Sequence, residues 1–275
     1  MYEITYAIPA KLEDEYSDKL ISAGITSFCF EKTADTLLLK IYSDSPEPVE
    51  GINRNLLRDA VEIHDSDWKN KWAEDYTGHE LTENIYVLPP GVDPPEKNYR
   101  FIIHIDPEDS FGDGHHPTTR LCGVLLEQVL EMYDYPGKIS FIDIGTGSGV
   151  LAIQAALMGV RDIELFDYDQ DSVVKADKNL ALNGISGVRA SFNDLYTFTS
   201  AKKYDVVTAN LLSKIIEDNL ERLKSLLKPE GVMILSGIST KWESDMIKLF
   251  EISGLKIIFH KKLEEWEGFV LGLNP

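Results

Sequence analysis

The run Asp143-Ile144-Gly145-Thr146-Gly147-Ser148-Gly149 constrains the fold more than any other stretch of this 275-residue chain. It joins an apolar, strand-like segment, 139–144, to a helical one, 150–158. Three glycines at alternate positions let the backbone turn sharply and let a ligand approach with no Cβ in the way. The helix behind them offers free N–H groups to an electronegative ligand. A nucleotide-like ligand across this edge is the expected use, although the GxGxG spacing differs from the GxGxxG of dinucleotide binders and argues against a pyrophosphate.

The same alternation continues downstream. A strand over 162–167, a helix over 170–182, a short strand over 188–192, a strand over 204–209 and a helix over 214–227 follow. A strand over 231–236, a helix over 242–252 and strands over 255–263 and 268–273 complete a seven-strand α/β pattern. Repeated strand–helix units of this kind build a mostly parallel, Rossmann-like sheet.

Upstream the pattern is different. Residues 2–8 alternate like a strand, and Leu12, Tyr16, Leu20 and Ala23 fall at helical spacing before Gly24. Strands over 26–31 and 36–42, a second helical run after Pro46 and Pro48 leading into Ala60, and a closing strand over 61–64 give a small α+β, ferredoxin-like module. Trp68 and Trp72, one helical turn apart, mark a linker helix over 65–76 that anchors to a neighbouring domain. Residues 89–99, with four prolines, form a rigid loop ahead of a strand over 100–105. The expected domains are therefore 1–64, the linker 65–76, and 77–275.

Charge narrows the partners. With 46 acidic against 27 basic residues the net charge is −19, which repels a polyanion, so direct nucleic-acid binding is not expected and a basic protein is the better match. Residues 1–75 hold 16 acidic and 8 basic side chains, about twice the net negative charge per residue of the remainder. The only cysteines are Cys29 and Cys122, too few for a disulfide framework or a four-cysteine zinc site, which fits a reducing compartment. No apolar run approaches the roughly 18 residues of a membrane span, and a cytoplasmic monomer is expected.

Candidate site residues lie at the carboxyl ends of the strands. Asp167, 22 residues after Gly145, stands where a carboxylate accepts hydrogen bonds from two ribose hydroxyls. Asp194, at the end of the third strand, stands where one accepts from an exocyclic adenine amine. Asp169, Asp171 and Asp177 read as a solvated face and helix N-terminal charges. His104, His115 and His116 lack a ligand-spaced carboxylate, so no metal is expected.

At these residues the chain resembles the class I S-adenosylmethionine-dependent methyltransferases. Taken with 106–119 (DPEDSFGDGHHPTT), Thr208-Ala209-Asn210-Leu211-Leu212 and the Trp68/Trp72 pair, it resembles the methyltransferases of ribosomal protein L-eleven (L11), the PrmA type. The resemblance implies S-adenosylmethionine as cofactor and a sheet ending in a reversed hairpin. It also implies cofactor contacts from Thr119, Gly145, Asp167 and Asn210, to which the reading of the glycine loop and the strand ends adds Gly147 and Asp194. It implies N-methylation of lysine side chains or the N-terminal amine of L11, with the small module docking the substrate. Thr119 is expected just ahead of a helix over 120–132, and Asn210 to orient the incoming amine. Other class I substrates, another protein, an RNA or a small amine, form the alternative. Two departures stand out: Asp113 where the family loop usually carries threonine, and Glu108 where glycine is common.

Overall fold

The computed structural model describes residues 2–9, 12, 16, 19–20, 25, 28–32, 36–43, 45–49, 51–62, 78–106 and 114–274. Trp68, Trp72, Glu108 and Asp113 lie outside the described residues. The chain divides into two compact units, Met1–Asp75 and Tyr76–Pro275.

In the first unit, strands β1 (Tyr2–Ile8), β2 (Phe28–Lys32), β3 (Leu37–Ser43) and β4 (Leu57–Glu62) form a sheet of order β2-β3-β1-β4, every described pairing antiparallel. This is the strand order of a ferredoxin-like βαββαβ unit. Ile4, Tyr6 and Ile8 from β1 and Leu37, Leu39 and Ile41 from β3 alternate onto one face, where Tyr16 and Leu20 join them in a single core. The second helical run expected ahead of Ala60 is not a helix. Only a short 3-10 turn, Arg54–Leu56, precedes β4, and residues 57–60 are strand. Leu57 and Ala60, three residues apart, fit a helical face, but antiparallel pairing with β1, with a register shift at Thr5/Tyr6, makes the segment strand.

The second unit begins with a small sheet, β5 (His79–Glu80), β6 (Ile85–Leu88) and β7 (Phe101–His104), in which β6 and β7 run parallel. Then come helix α1 (Pro117–Glu131), β8 (Ser140–Ile144), α2 (Val150–Leu157), β9 (Asp162–Asp167), α3 (Gln170–Leu182), β10 (Ala190–Phe192) and β11 (Tyr204–Asn210). Helix α4 (Ser213–Ser225), β12 (Leu227–Ser239), α5 (Glu243–Ile252), β13 (Leu255–Leu263) and β14 (Trp266–Leu273) complete it. The large sheet has order β10-β9-β8-β11-β12-β14-β13, with β8 through β12 parallel to one another and β14 antiparallel to both of its neighbours.

Strand β8 is buried at all five positions, as expected of a central parallel strand covered on both faces. Its alternation sends Phe141 to the core beneath α1 and α2, and Ile142 and Ile144 to the core beneath α4 and α5. Side chains of this kind contribute about 1.5–3 kcal/mol each on burial, which holds the sheet as a rigid platform. The order of strands places the switch between β8 and β11 at the carboxyl rim. That is where open α/β sheets bind ligands.

Candidate active site

The glycine loop turns as its composition requires. Gly145, Gly147 and Gly149 have φ of 68°, 53° and 82°, the left-handed region that side chains avoid. A Cβ on Gly145 would lie 2.6 Å from the Leu211 side chain, so that position also needs glycine for space. The loop is tied at both ends of its turn: the amides of Gly145 and Thr146 donate to the Phe166 carbonyl, and that of Gly149 to the Thr146 carbonyl.

Asp167, the last residue of β9, is buried beside this loop. One carboxylate oxygen accepts the Gly147 amide at 2.9 Å, and the other accepts the Asp169 amide at 3.0 Å. Each oxygen keeps a further lone-pair direction for a hydroxyl. Asp169 caps α3 through the amides of Asp171 and Ser172, the helix-start role its sequence position suggested.

Across the rim, the Asn210 side-chain amide donates to the Thr119 hydroxyl at 3.2 Å. Thr119 is buried inside the first turn of α1 and not ahead of it as expected, because His116 caps the helix and Pro117 begins it. The amides of Thr119 and Arg120 both donate to the His116 carbonyl, and that of Thr118 to the His116 ring. Thr119 therefore offers the rim its hydroxyl and not a free amide. With its NH₂ turned to Thr119, Asn210 presents its carbonyl oxygen as an acceptor.

The rim thus holds two linked pairs, Gly147 with Asp167 and Thr119 with Asn210. Asp194 joins neither. It lies exposed two residues beyond β10 rather than at its end, and its carboxylate accepts the Tyr196 amide of its own turn.

Between the pairs sits a carboxylate that the sequence marked only as part of the loop motif. Asp143, on β8, is buried and accepts the hydroxyls of Thr146 and Thr208, each at 2.6 Å. Burial pushes its carboxyl up to about 6; the two hydroxyls oppose that and nearby Asp167 adds to it. Thr208 and Asn210 point to the same face of β11, so Asp143 joins the glycine loop to the strand that carries Asn210.

The three possible metal ligands brought together among the described residues are elsewhere. Glu243, His260 and Glu267 have ligand atoms within 4.8 Å of one another. The Lys262 ammonium reaches Glu243 at 2.6 Å and the buried Glu267 at 3.2 Å, so a lysine already supplies the positive charge there. The histidine singled out before Pro117, His116, serves as a helix cap with its ring edge-on to Trp266.

The family profile described as "Ribosomal protein L11 methyltransferase (PrmA)" matches residues 3–272. The chain belongs to that family. A "Ribosomal protein L11 methyltransferase" of Bacillus pumilus is 32% identical over 232 residues, covering 80% of this chain and 73% of its own length. One of Streptococcus agalactiae serotype Ia is 35% identical over 215 residues, covering 77% of this chain and 65% of its own. Among solved structures, the "ribosomal protein L11 methylase" of Lactobacillus delbrueckii subsp. bulgaricus superposes with a TM-score of 0.66 at 28% identity, over 73% of this chain and 100% of that one. The reversed β13–β14 hairpin that the resemblance to this methyltransferase family implied is present.

The donor set fits a sulfonium nucleoside. The rim pairs a buried carboxylate with neutral hydroxyl and amide groups, and the glycine loop leaves room for close approach. None of the described helices is long and apolar enough to cross a membrane.

Proposed function

We propose that this chain is an S-adenosylmethionine-dependent N-methyltransferase that modifies amino groups of ribosomal protein L11, on lysine side chains or at the N-terminus. One observation carries the reading: the Thr119–Asn210 bond leaves an amide oxygen at the rim, across from the Gly147–Asp167 pair. The cofactor residues of this reading are Thr119, Gly145, Gly147, Asp167 and Asn210, with Asp194 at the adenine side.

Bound S-adenosylmethionine supplies a methyl group on a positively charged sulfur, which departs as a neutral thioether. The chain's task is to align and desolvate an amine. A lysine ammonium, with reference pKa about 10.4, must first lose its proton to water; a partly apolar site next to a cation lowers that value in the needed direction. Asn210 then accepts one N–H of the neutral amine at its Oδ1 and points the nitrogen lone pair at the methyl carbon. A methyl taken up by that nitrogen would leave the neutral thioether behind, and the methylated amine would give one proton to solvent.

Residues 1–64 serve as the docking module in this reading, with 65–76 as linker and 77–275 as catalytic domain. Their acidity attracts a lysine-rich protein, which raises the encounter rate and makes it fall with salt. The enzyme works as a cytoplasmic monomer without contacting RNA directly, in keeping with its −19 charge.

The deciding experiment is mass spectrometry of a mixture of ribosomal proteins and RNA incubated with the chain and methyl-labelled S-adenosylmethionine. Methyl increments on L11 are expected. Label on RNA, on another protein alone, or on nothing would reject the substrate. Removal of residues 1–66 should abolish protein methylation and leave cofactor binding intact; full activity of the shortened chain would reject the docking role.

A further inference from the structure

Asn179 is buried in the interior of α3, a position where asparagine is a poor helix former and an apolar residue would be better placed. Its carboxamide explains the choice. The NH₂ donates to the Ser148 carbonyl at 2.8 Å, and Oδ1 accepts the Asp106 amide at 3.0 Å. One side chain therefore spans two backbone segments: the glycine loop and the residue that ends the described stretch after β7.

The tie to Ser148 falls in the middle of the loop, where its hydroxyl also accepts the Val150 amide at 3.3 Å. Ser148 is flanked by Gly147 and Gly149, both at positive φ, and glycine-flanked peptides reorient at little cost. The Gly147 amide is fixed by Asp167 and the Gly149 amide by the Thr146 carbonyl. The Ser148 carbonyl is fixed by Asn179. Ala176, three residues earlier on the same face of α3, lies 3.3 Å from where a Cβ of Gly149 would stand, so the helix face is shaped against this loop.

We propose that Asn179 is a positioning residue for methyl transfer: with its NH₂ on the Ser148 carbonyl and its Oδ1 on the Asp106 amide, it sets the orientation in which the glycine loop receives S-adenosylmethionine. This rests on the reading of residues 145–149 as the cofactor loop. Asn179 acts through the loop and does not touch the reacting atoms.

The neighbouring Asn183 provides a matched control. Its carboxamide also ties the end of α3 to the β7 segment, accepting the His104 amide at 2.8 Å and donating to the carbonyls of His104 and Asn179, each at 2.7 Å, and none of these described bonds reaches the glycine loop. Asn179→Asp keeps the acceptor for Asp106 and sets an oxygen against the Ser148 carbonyl. Asn183→Asp removes donors of the same kind away from the loop.

The test is calorimetric titration of S-adenosylmethionine into the full-length chain and both variants, with thermal melts and steady-state kinetics on each. Asn179→Asp is expected to weaken cofactor affinity about tenfold or more, raising KM for the cofactor with KM for the protein substrate unchanged. Asn183→Asp is expected to lower the melting temperature while changing cofactor affinity by less than about twofold. Asn179→Ser, measured in the same way, replaces Asn179→Asp if that variant does not fold. Equal effects of the two positions on cofactor affinity, or none at Asn179, would overturn the proposal. Failure of the unmutated chain to bind S-adenosylmethionine would instead strike at the loop assignment itself, and the positioning role would fall with it.

Discussion

Two aspartates on the same sheet, at opposite ends of its strands, are held in opposite ways. At the amino end, Asp205 of β11 accepts the amide and hydroxyl of Ser140 at 2.7 and 2.9 Å and meets the Lys228 ammonium at 2.7 Å. Burial would push its carboxyl up, yet Lys228 and Ser140 together bring it below the ordinary value. At the carboxyl rim, Asp143 has two threonine hydroxyls and no cation among its described bonds, and burial leaves it titrating near 6. The amino end is arranged for stability, with its charge neutralised in place. The rim carries a carboxylate with no cation among its described bonds, behind the loop to which the proposed function gives a cationic ligand.

The sharpest way to break this contrast is Asp143→Ala. It takes the carboxylate from the buried Thr146 hydroxyl and leaves the Thr208 hydroxyl only the Ile142 carbonyl at 3.4 Å; with a stranded buried hydroxyl costing about 1–3 kcal/mol, a loss of roughly 1–4 kcal/mol in urea unfolding is expected, together with weaker cofactor binding. A loss under about 1 kcal/mol would mean that the threonines find other partners.

Titration sharpens it further, because the two carboxylates must act with opposite signs. Asp143 binds its proton more tightly folded, near 6, than unfolded, near 3.8. Its site is therefore most favourable to folding below the unfolded value, and that contribution is lost as pH rises through 6. The span is at most about 3 kcal/mol. Asp205, with its folded value lowered, contributes stability that is present above the unfolded value and lost as pH falls through the folded one. Unfolding free energies of the parent and Asp143→Asn between pH 4 and 7 should differ in slope, the parent falling more steeply; parallel curves would remove the raised value.

Asp167→Ala probes the rim on its ligand side. If this carboxylate takes the ribose hydroxyls as proposed, its loss should weaken S-adenosylmethionine binding by roughly 1.5–3 kcal/mol in calorimetry. Unchanged affinity would refute the ribose assignment.

What the sequence disclosed follows the range over which each signal acts. Strands over 162–167 and 255–263 and the helix over 170–182 have the bounds read from period and punctuation, because each is bordered by its own turn residues and caps. The place of Asp167 at the end of β9 was legible for the same reason: the distance from Gly145 is set by one strand–helix–strand unit. The strand at 57–60 was not, since only its pairing with β1 selects it over a helix. The start of α1 was missed because its cap is a histidine rather than the serine, threonine or aspartate that signals a helix start. The roles of Asp143 and Asn179 depend on contacts 65 and 31 residues away, to Thr208 and Ser148, which no local pattern announces.

The smallest expected effect lies at the other end of the sheet. Lys228→Met removes the cation beside Asp205 and leaves the Ser140 amide and hydroxyl in place. Both partners are partly exposed, the lysine 40% and the aspartate 22%, so solvent screens most of their attraction and the loss should stay within about 1 kcal/mol. With the ammonium gone, the Asp205 carboxyl should titrate higher and the acid limb of the stability curve move toward neutral pH. Cofactor affinity should not change, because the substitution lies at the ends of β11 and β12 away from Asn210. A loss of S-adenosylmethionine binding in Lys228→Met would show that the two ends of the sheet are coupled, and the division between a stabilising end and a binding end would fail.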